Sequence, residues 1–381
     1  MRIIIAPDSF KGSLKAIEAA RAVKEGITRV FPDCICDLIP VADGGEGTVE
    51  AMVSATGGEI VEKEVHGPLM EKIKGAFGVL GDGKTAVIEM ASASGLPLVP
   101  PEKRNPLVTS TYGTGQLILK ALDMGCRDFV IGIGGSATVD GGTGMASALG
   151  IRFLDREGKP IPAGGGGLDR LHSIDMSGLD SRAKDARFRV ACDVDNPLCG
   201  PKGAARIFGP QKGATSEMVE ILDKNLEHYS KVVQQITGKN VRDYPGAGAA
   251  GGLGAGLMAF LDATLQPGVD IVLEAVDFEN RVKGADLVVT GEGKIDGQTL
   301  HGKAPLGVAR RAAKYGIPVV AIAGCIGNDT EKLYSDGFSA IIGICTGPMN
   351  LEDAVNNAGR LVADAAERTM RLINLGSEVL F

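Results

Sequence analysis

Both ends of the chain alternate short apolar runs with amphipathic ones, and this alternation restricts the fold more than any other feature. At the start, Ile3 to Ala6 reads as a strand and Pro7 to Gly12 as a loop. Leu14, Ile17, Ala20, Val23, Ile27 and Val30 then form one face of a helix, with Ser13 as its expected N-cap. Cys34 to Val41 reads as a second strand, and Asp43-Gly44-Gly45-Glu46-Gly47 leads into a helix over Thr48 to Ala55. The pattern returns near the other end with strands expected at Asp286 to Thr290, Pro318 to Ala323 and Ala340 to Cys345. A glycine-rich loop and a helix over Ala304 to Tyr315 follow the first of these, a short helix lies near Glu331, and a long helix starts at about Leu351. Strands alternating with helices build parallel sheets, so two strands from the start and three from the end predict one five-stranded, doubly wound sheet.

The span between has a different texture. Lys72 to Leu80 and Thr85 to Met90 read as a hairpin about Gly81-Asp82-Gly83. A helix over Tyr112 to Leu122, a strand over Phe129 to Ile133, long glycine-rich loops and a helix over Ser216 to Gln235 complete it. The expected class is therefore α/β in two domains. Residues 1–65 and 281–376 would form a doubly wound, flavodoxin-like parallel sheet, and 66–280 an inserted mixed α/β domain. Residues 377–381 read as the stub of an engineered protease site. The cleft between two such domains is the expected place for a ligand.

Glycine is abundant, 55 of 381 residues or about 14 % against a usual share of about 7 %. With 44 % hydrophobic and 23 % charged residues the chain is neither collagen-like nor disordered, so these glycines serve tight loops. The absence of tryptophan, five tyrosines and a net charge of −7 argue against a nucleic-acid partner, which would need stacking rings beside a cationic groove. No apolar run approaches the roughly 18 residues of a membrane span. Asp8 arrives too early for a secretory signal, so a cytoplasmic location without a membrane partner is expected. The seven cysteines are scattered and odd in number, as reduced structural thiols would be.

Three glycine motifs imitate nucleotide loops. Gly78 to Thr85 fits the P-loop pattern, but Thr85 to Met90 continues as a strand where that motif requires a helix. Gly246 to Gly251 fits a dinucleotide fingerprint, yet Tyr244-Pro245 precedes it in place of a strand. Gly132 to Ala137 follows a strand, but Thr138-Val139-Asp140-Gly141-Gly142 prolongs the loop and opens no helix.

A more informative pattern is the recurrence of acidic residues in glycine-rich loops just after apolar strands. These loops are Asp8-Ser9-Phe10-Lys11-Gly12, Asp43-Gly44-Gly45-Glu46-Gly47, Asp193-Val194-Asp195-Asn196 and Gly291-Glu292-Gly293-Lys294-Ile295-Asp296. Ligands of open α/β sheets bind at the carboxyl ends of strands. Glycines let backbone amides approach phosphate, while carboxylates hold magnesium or accept a proton. Lys11, Arg104, Lys202, Arg206, Lys212, Lys294 and Lys303 lie near such glycines, which suits a small anionic substrate. Phosphoryl transfer fits the set, since positioning and charge supply most of its rate.

At these same loops the sequence resembles the type-1 glycerate kinase family. The strings that carry the resemblance include APDSFKGSL (6 to 14), PVADGGEGT (40 to 48), EKRNPL, TSTYGTGQLI, GIGGSAT, ACDVDNPLCGPKGAA, FGPQKGA (208 to 214) and VVTGEGKIDGQTLHGKAP. The resemblance implies transfer of the ATP γ-phosphoryl group to D-glycerate, with 2-phosphoglycerate favoured as product, in organic-acid, glyoxylate or sugar-acid catabolism. ATP and Mg2+ are the implied cofactors, and homo-oligomerisation is left open. Lys11, Asp43 and Asp193 are the candidate catalytic residues, Asp43 as general base. Asp8, Ser9, Gly44, Gly45, Glu46 and Arg104 are candidates for binding substrate. Gly134, Gly135, Ser136, Gly291 and Gly293 are candidates for the nucleotide, and Asp195, Glu292 and Asp296 for the metal. Val139 stands where the family pattern leads one to expect asparagine. Another small hydroxy acid as acceptor, or a non-catalytic protein that binds small anions, are the alternatives.

Overall fold

A computed structural model describes residues 1–379, so Leu380 and Phe381 of the expected protease-site stub lie outside the described residues. The first strands are β1 (Arg2–Pro7), β2 (Ile35–Leu38), β3 (Glu59–His66), β4 (Lys72–Val79), β5 (Thr85–Glu89) and β6 (Asp128–Gly132). They are followed by β7 (Arg152–Leu154), β8 (Ser173–Asp175), β9 (Arg187–Ala191), β10 (Thr264–Gln266), β11 (Leu287–Ile295), β12 (Val319–Ile326) and β13 (Ala340–Gly343). The described residues divide into two compact units, one of residues 1–43, 50–57 and 269–379, the other of 44–49 and 58–268.

In the first unit β13, β12, β11, β1 and β2 lie side by side in that order, all parallel. Counted in chain order the arrangement is 2-1-3-4-5, the flavodoxin-like doubly wound order, whose winding reverses between β1 and β11. Ile3, Ile4 and Ile5 of β1 are fully buried. A strand covered on both faces reads as a continuous apolar run, and each such side chain contributes about 1.5–3 kcal/mol through burial. The helix Ala16–Thr28 buries Ala19, Ala20, Val23 and Ile27. They join one core with Leu361, Val362, Ala365 and Met370 of the helix Ala358–Val379. Gly26 permits that approach, because a Cβ there would run into Ala363 O.

Two local expectations are corrected. The first helix is capped by Lys15 and not Ser13: Lys15 N–H donates to Glu18 Oε2 at 2.9 Å, while Ser13 Oγ closes the preceding turn on Phe10 O. The strand expected to stop at Thr290 runs on to Ile295, because Lys294 and Ile295 stay in register with Cys325 and Ile326 of β12. Gly291, Glu292 and Gly293 are therefore strand residues.

The second unit holds a six-stranded sheet in the order β10-β9-β6-β5-β4-β3 and a small β7-β8 pair. β5, β6, β9 and β10 are parallel, and β3 and β4 extend the sheet antiparallel. β3 lies within the span expected for the doubly wound domain, yet it pairs with β4 along its whole length. The β4-β5 hairpin is present, its loop tied by Asp82, which accepts from Lys84 N and Thr85 N at 2.9 Å. Thr85 opens β5, so the P-loop look-alike is a hairpin turn. Phe129 and Phe188 stack at 4.7 Å in the core. Val139 is fully buried there, which accounts for an apolar residue at that position. All seven cysteines are free thiols. Among the described residues no helix is long and apolar enough to cross a membrane.

Candidate active site

The carboxyl ends of β1 and β11, where the winding of the first sheet reverses, open onto a cavity of ≈ 270 Å³. It is lined by Asp8, Ser9, Lys11, Asp43, Glu292, Gly293, Lys294 and Lys303. Its volume lies just below the roughly 300–1,000 Å³ of pockets for drug-sized ligands, so it suits a small polar molecule. Three carboxylates and three lysines meet there, although residues 8–43 and 292–303 come from opposite ends of the chain. Parallel pairing brings them together: Pro7 of β1 sits beside Gly291 of β11, and Asp8 N–H donates to Gly291 O at 2.8 Å.

Each charged group has an identifiable environment. Asp8 is only 6 % exposed. Burial first, then the negative charge of Asp43, pushes its carboxyl up to about 7, with Glu292 adding to the effect. The Ser9 N–H, which donates to Asp8 Oδ1 at 2.6 Å, and the Lys11 charge act in the opposite direction. Glu292 is also raised by burial, against Lys303 and the hydroxyl of Thr299. Lys303 Nζ lies 3.2 Å from Glu292 Oε2, and Thr299 Oγ1 donates to Glu292 Oε1 at 3.0 Å. Lys11 Nζ is 3.9 Å from Asp43 Oδ2 and its side chain is 73 % exposed, leaving it able to swing toward an anion. Asp296, outside the lining, caps the turn Gly297–His301 through Gln298 N and pairs with Lys294 at 2.8 Å.

The other sequence-predicted residues belong to the second unit. Gly134 and Gly135 are exposed on the loop after β6, Gly135 with φ +71°. Ser136 is buried, its Oγ accepting from the Lys212 ammonium at 2.7 Å. Gly44 and Gly45 also lie in this unit; a Cβ on Gly44 would press on Ala191 at the end of β9. Asp193 and Asp195 are exposed after β9, and Asp193 Oδ1 accepts from Gly268 N at 3.0 Å. Asn196 Nδ2 donates to Lys202 O, a turn contact. Glu46 is exposed, and Arg104 is half-buried with its Nε unpartnered. Arg206 pairs with Glu220 and Asp223, which accounts for that cation as a surface ion pair.

Thr299 has no mark of its own in the sequence, and Lys212, expected among the cations that face a small anion, is instead buried against Ser136 and Thr138. Thr299 lies in a turn with no periodicity. Lys212 gave two signals, its place beside a glycine and in the FGPQKGA string, and neither foretold its burial.

Among the described residues no three His, Cys, Asp or Glu side chains converge as a preformed metal cage. Kinase magnesium is held by one or two carboxylates together with substrate phosphates. The hard oxygens of Asp8, Asp43 and Glu292 around one cavity suit that kind of site.

The sequence model of the glycerate kinase family matches residues 3–374. A glycerate kinase of Bacillus subtilis (strain 168) is 57 % identical over 371 residues, 97 % of this chain and 96 % of the relative. A glycerate 2-kinase of Escherichia coli (strain K12) is 51 % identical over 376 residues, covering 99 % of each chain. The crystal structure of a provisionally assigned glycerate kinase 2 from Salmonella typhimurium LT2 superposes with a TM-score of 0.92 at 49 % identity, over 100 % of both chains. These matches along nearly its whole length show that the chain belongs to the glycerate kinase family.

Proposed function

We propose that this ATP-dependent kinase transfers the γ-phosphoryl group to the 2-hydroxyl of D-glycerate, giving 2-phosphoglycerate. The observation that carries the reading is the convergence of Asp8, Asp43 and Glu292 with Lys11, Lys294 and Lys303 around one small cavity. A hydroxy acid bound there offers a carboxylate to the lysines and a hydroxyl to the aspartates. The name of the Escherichia coli relative supports the 2-position.

Asp43 accepts the hydroxyl proton as the acceptor oxygen attacks phosphorus, a role worth about 10²–10⁴ in rate for a well-placed base. Lys11 follows the charge from substrate carboxylate to transferring phosphoryl group. Asp8 and Ser9 orient the acceptor, and Lys303 holds Glu292 in place. In the second unit, Gly134 and Gly135 receive nucleotide phosphates on exposed backbone, and Arg104 offers a planar fork to a carboxylate. Asp193 and Glu46 are assigned supporting polar contacts, as are Gly44, Gly45, Gly291 and Gly293 through their backbone. Glu292, with Asp296 as a further candidate, would hold magnesium, and Asp195 is the separate candidate in the second unit; the bound ion would neutralise charge on the phosphates. The cytoplasm and organic-acid catabolism are the proposed setting.

An ADP-release assay with D-glycerate, lactate, tartronate and glucarate tests the acceptor. Turnover is expected with D-glycerate well above the others; equal turnover with lactate would overturn the acceptor assignment.

A further inference from the structure

Lys212 is 1 % exposed, at the end of the short turn Pro210–Lys212 in the second unit. Removing an ammonium from water costs several kcal/mol, so a buried lysine needs partners that repay the loss. Its Nζ donates to Ser136 Oγ and to Thr138 O, both at 2.7 Å. These partners lie in the loop that leaves β6, directly after Gly134 and Gly135, which are exposed while Ser136 and Thr138 are buried. The facing charge is Asp140, fully buried and already accepting from Thr111 N, Thr111 Oγ1, Gly142 N and Gly144 N. The lysine is therefore not needed to complete the hydrogen bonds of Asp140. Burial, opposed by Asp140, draws its ammonium down to about 7. The next residue, Gly213, has φ +90°, and a Cβ there would press on Arg104 O and Cβ. Lys212 and Gly213 thus grip the β6 loop with a side chain and the Arg104 backbone with a main chain.

We propose that Lys212 is a positioning residue for nucleotide binding, its ammonium holding Ser136 and Thr138 inward so that the backbone of Gly134 and Gly135 faces outward to receive phosphate. The inference rests on the assignment of this loop to the nucleotide. Lys212 itself touches no substrate; it acts through the loop.

The test measures ADP affinity by calorimetry, ATP KM, kcat and melting temperature for the full-length enzyme and three variants. Lys212→Met keeps the apolar stem and loses the donors. It is expected to weaken ADP binding and raise the ATP KM by about 10-fold, the worth of hydrogen bonds to a charged group, with kcat at saturating ATP changed far less. Ser136→Ala removes the lysine's side-chain partner on the loop at a buried position and is expected to weaken ADP binding in the same direction by a smaller factor. If Lys212→Met does not fold, Ser136→Ala decides: weaker ADP binding supports the proposal, and wild-type affinity overturns it. A folded Lys212→Met with wild-type ADP affinity also overturns it. Gly135→Val, which forces a β-branched residue into positive φ, separates the two ideas. Wild-type ADP affinity in that variant removes the loop from nucleotide binding altogether, and the proposal with it. Weakened binding there, combined with unaffected lysine and serine variants, defeats the role of Lys212 alone.

Discussion

At the scale of single residues, the cavity is organised around Asp8, a carboxyl buried beside two others. Unfolded, an aspartate ionises near 3.9, whereas Asp8 in the fold is raised to about 7. Below pH 4 both states hold the proton and the contribution to stability is complete. Between pH 4 and 7 the unfolded chain releases its proton first, so that contribution declines and is lost as pH rises through 7. Asp8→Asn keeps an acceptor for the Ser9 amide and removes the titration. Its melting temperature in magnesium-free buffer is expected to match or exceed wild type at pH 8, with kcat/KM reduced by about 10²-fold or more. A melting temperature well below wild type at pH 8 would refute this account of Asp8. For Asp43→Asn, turnover is expected to fall by about 10²–10⁴ with ADP affinity within a few-fold of wild type. Near wild-type turnover would take Asp43 out of the mechanism.

At the scale of elements, β11 carries the cavity by being longer than its apolar run. Gly291 pairs within the sheet, and a Cβ on it would run into Ile322 O of β12. Gly291→Ala is therefore expected to lower stability by about 1–3 kcal/mol in urea unfolding, the range for overpacking. Loss of activity without loss of stability would instead point to a direct ligand role. The same strand shows what was legible in advance. Val288 and Val289 announced a buried strand, but glycine, glutamate and lysine after Thr290 looked like a loop, because local propensity is blind to the register with β12. Ser13 is the parallel case at a helix start: its residue type suits a cap, yet the Phe10–Leu14 turn takes it and moves the helix to Ala16. Of the candidate site, Asp8, Lys11 and Asp43 were readable from acidic glycine loops after strands, and Glu292 was marked by the same pattern although it lies within β11. The contacts of Thr299 and the burial of Lys212 were not readable, since both come from tertiary hydrogen bonds.

At the scale of the whole molecule, a sheet shared by both chain ends makes ligand binding and folding one linked equilibrium. Lys11 and Asp43 reach the cavity from the first 43 residues, Glu292 and Lys303 from after 287. A ligand at 100 times its Kd stabilises the native state by about 2.7 kcal/mol, or about 2–4 °C per kcal/mol for larger domains. D-glycerate in such excess is thus expected to raise the melting temperature by several degrees, and less so in Asp43→Asn. An unchanged melting temperature at saturating D-glycerate would contradict binding at this cavity. The central claim, phosphorylation of D-glycerate at its 2-hydroxyl, is tested most directly by proton-coupled phosphorus NMR of the product formed from ATP and D-glycerate. A phosphate on the 2-oxygen couples to the single methine proton and is predicted to appear as a doublet. A triplet from the methylene of 3-phosphoglycerate, or no phosphoglycerate signal at all, would contradict the account.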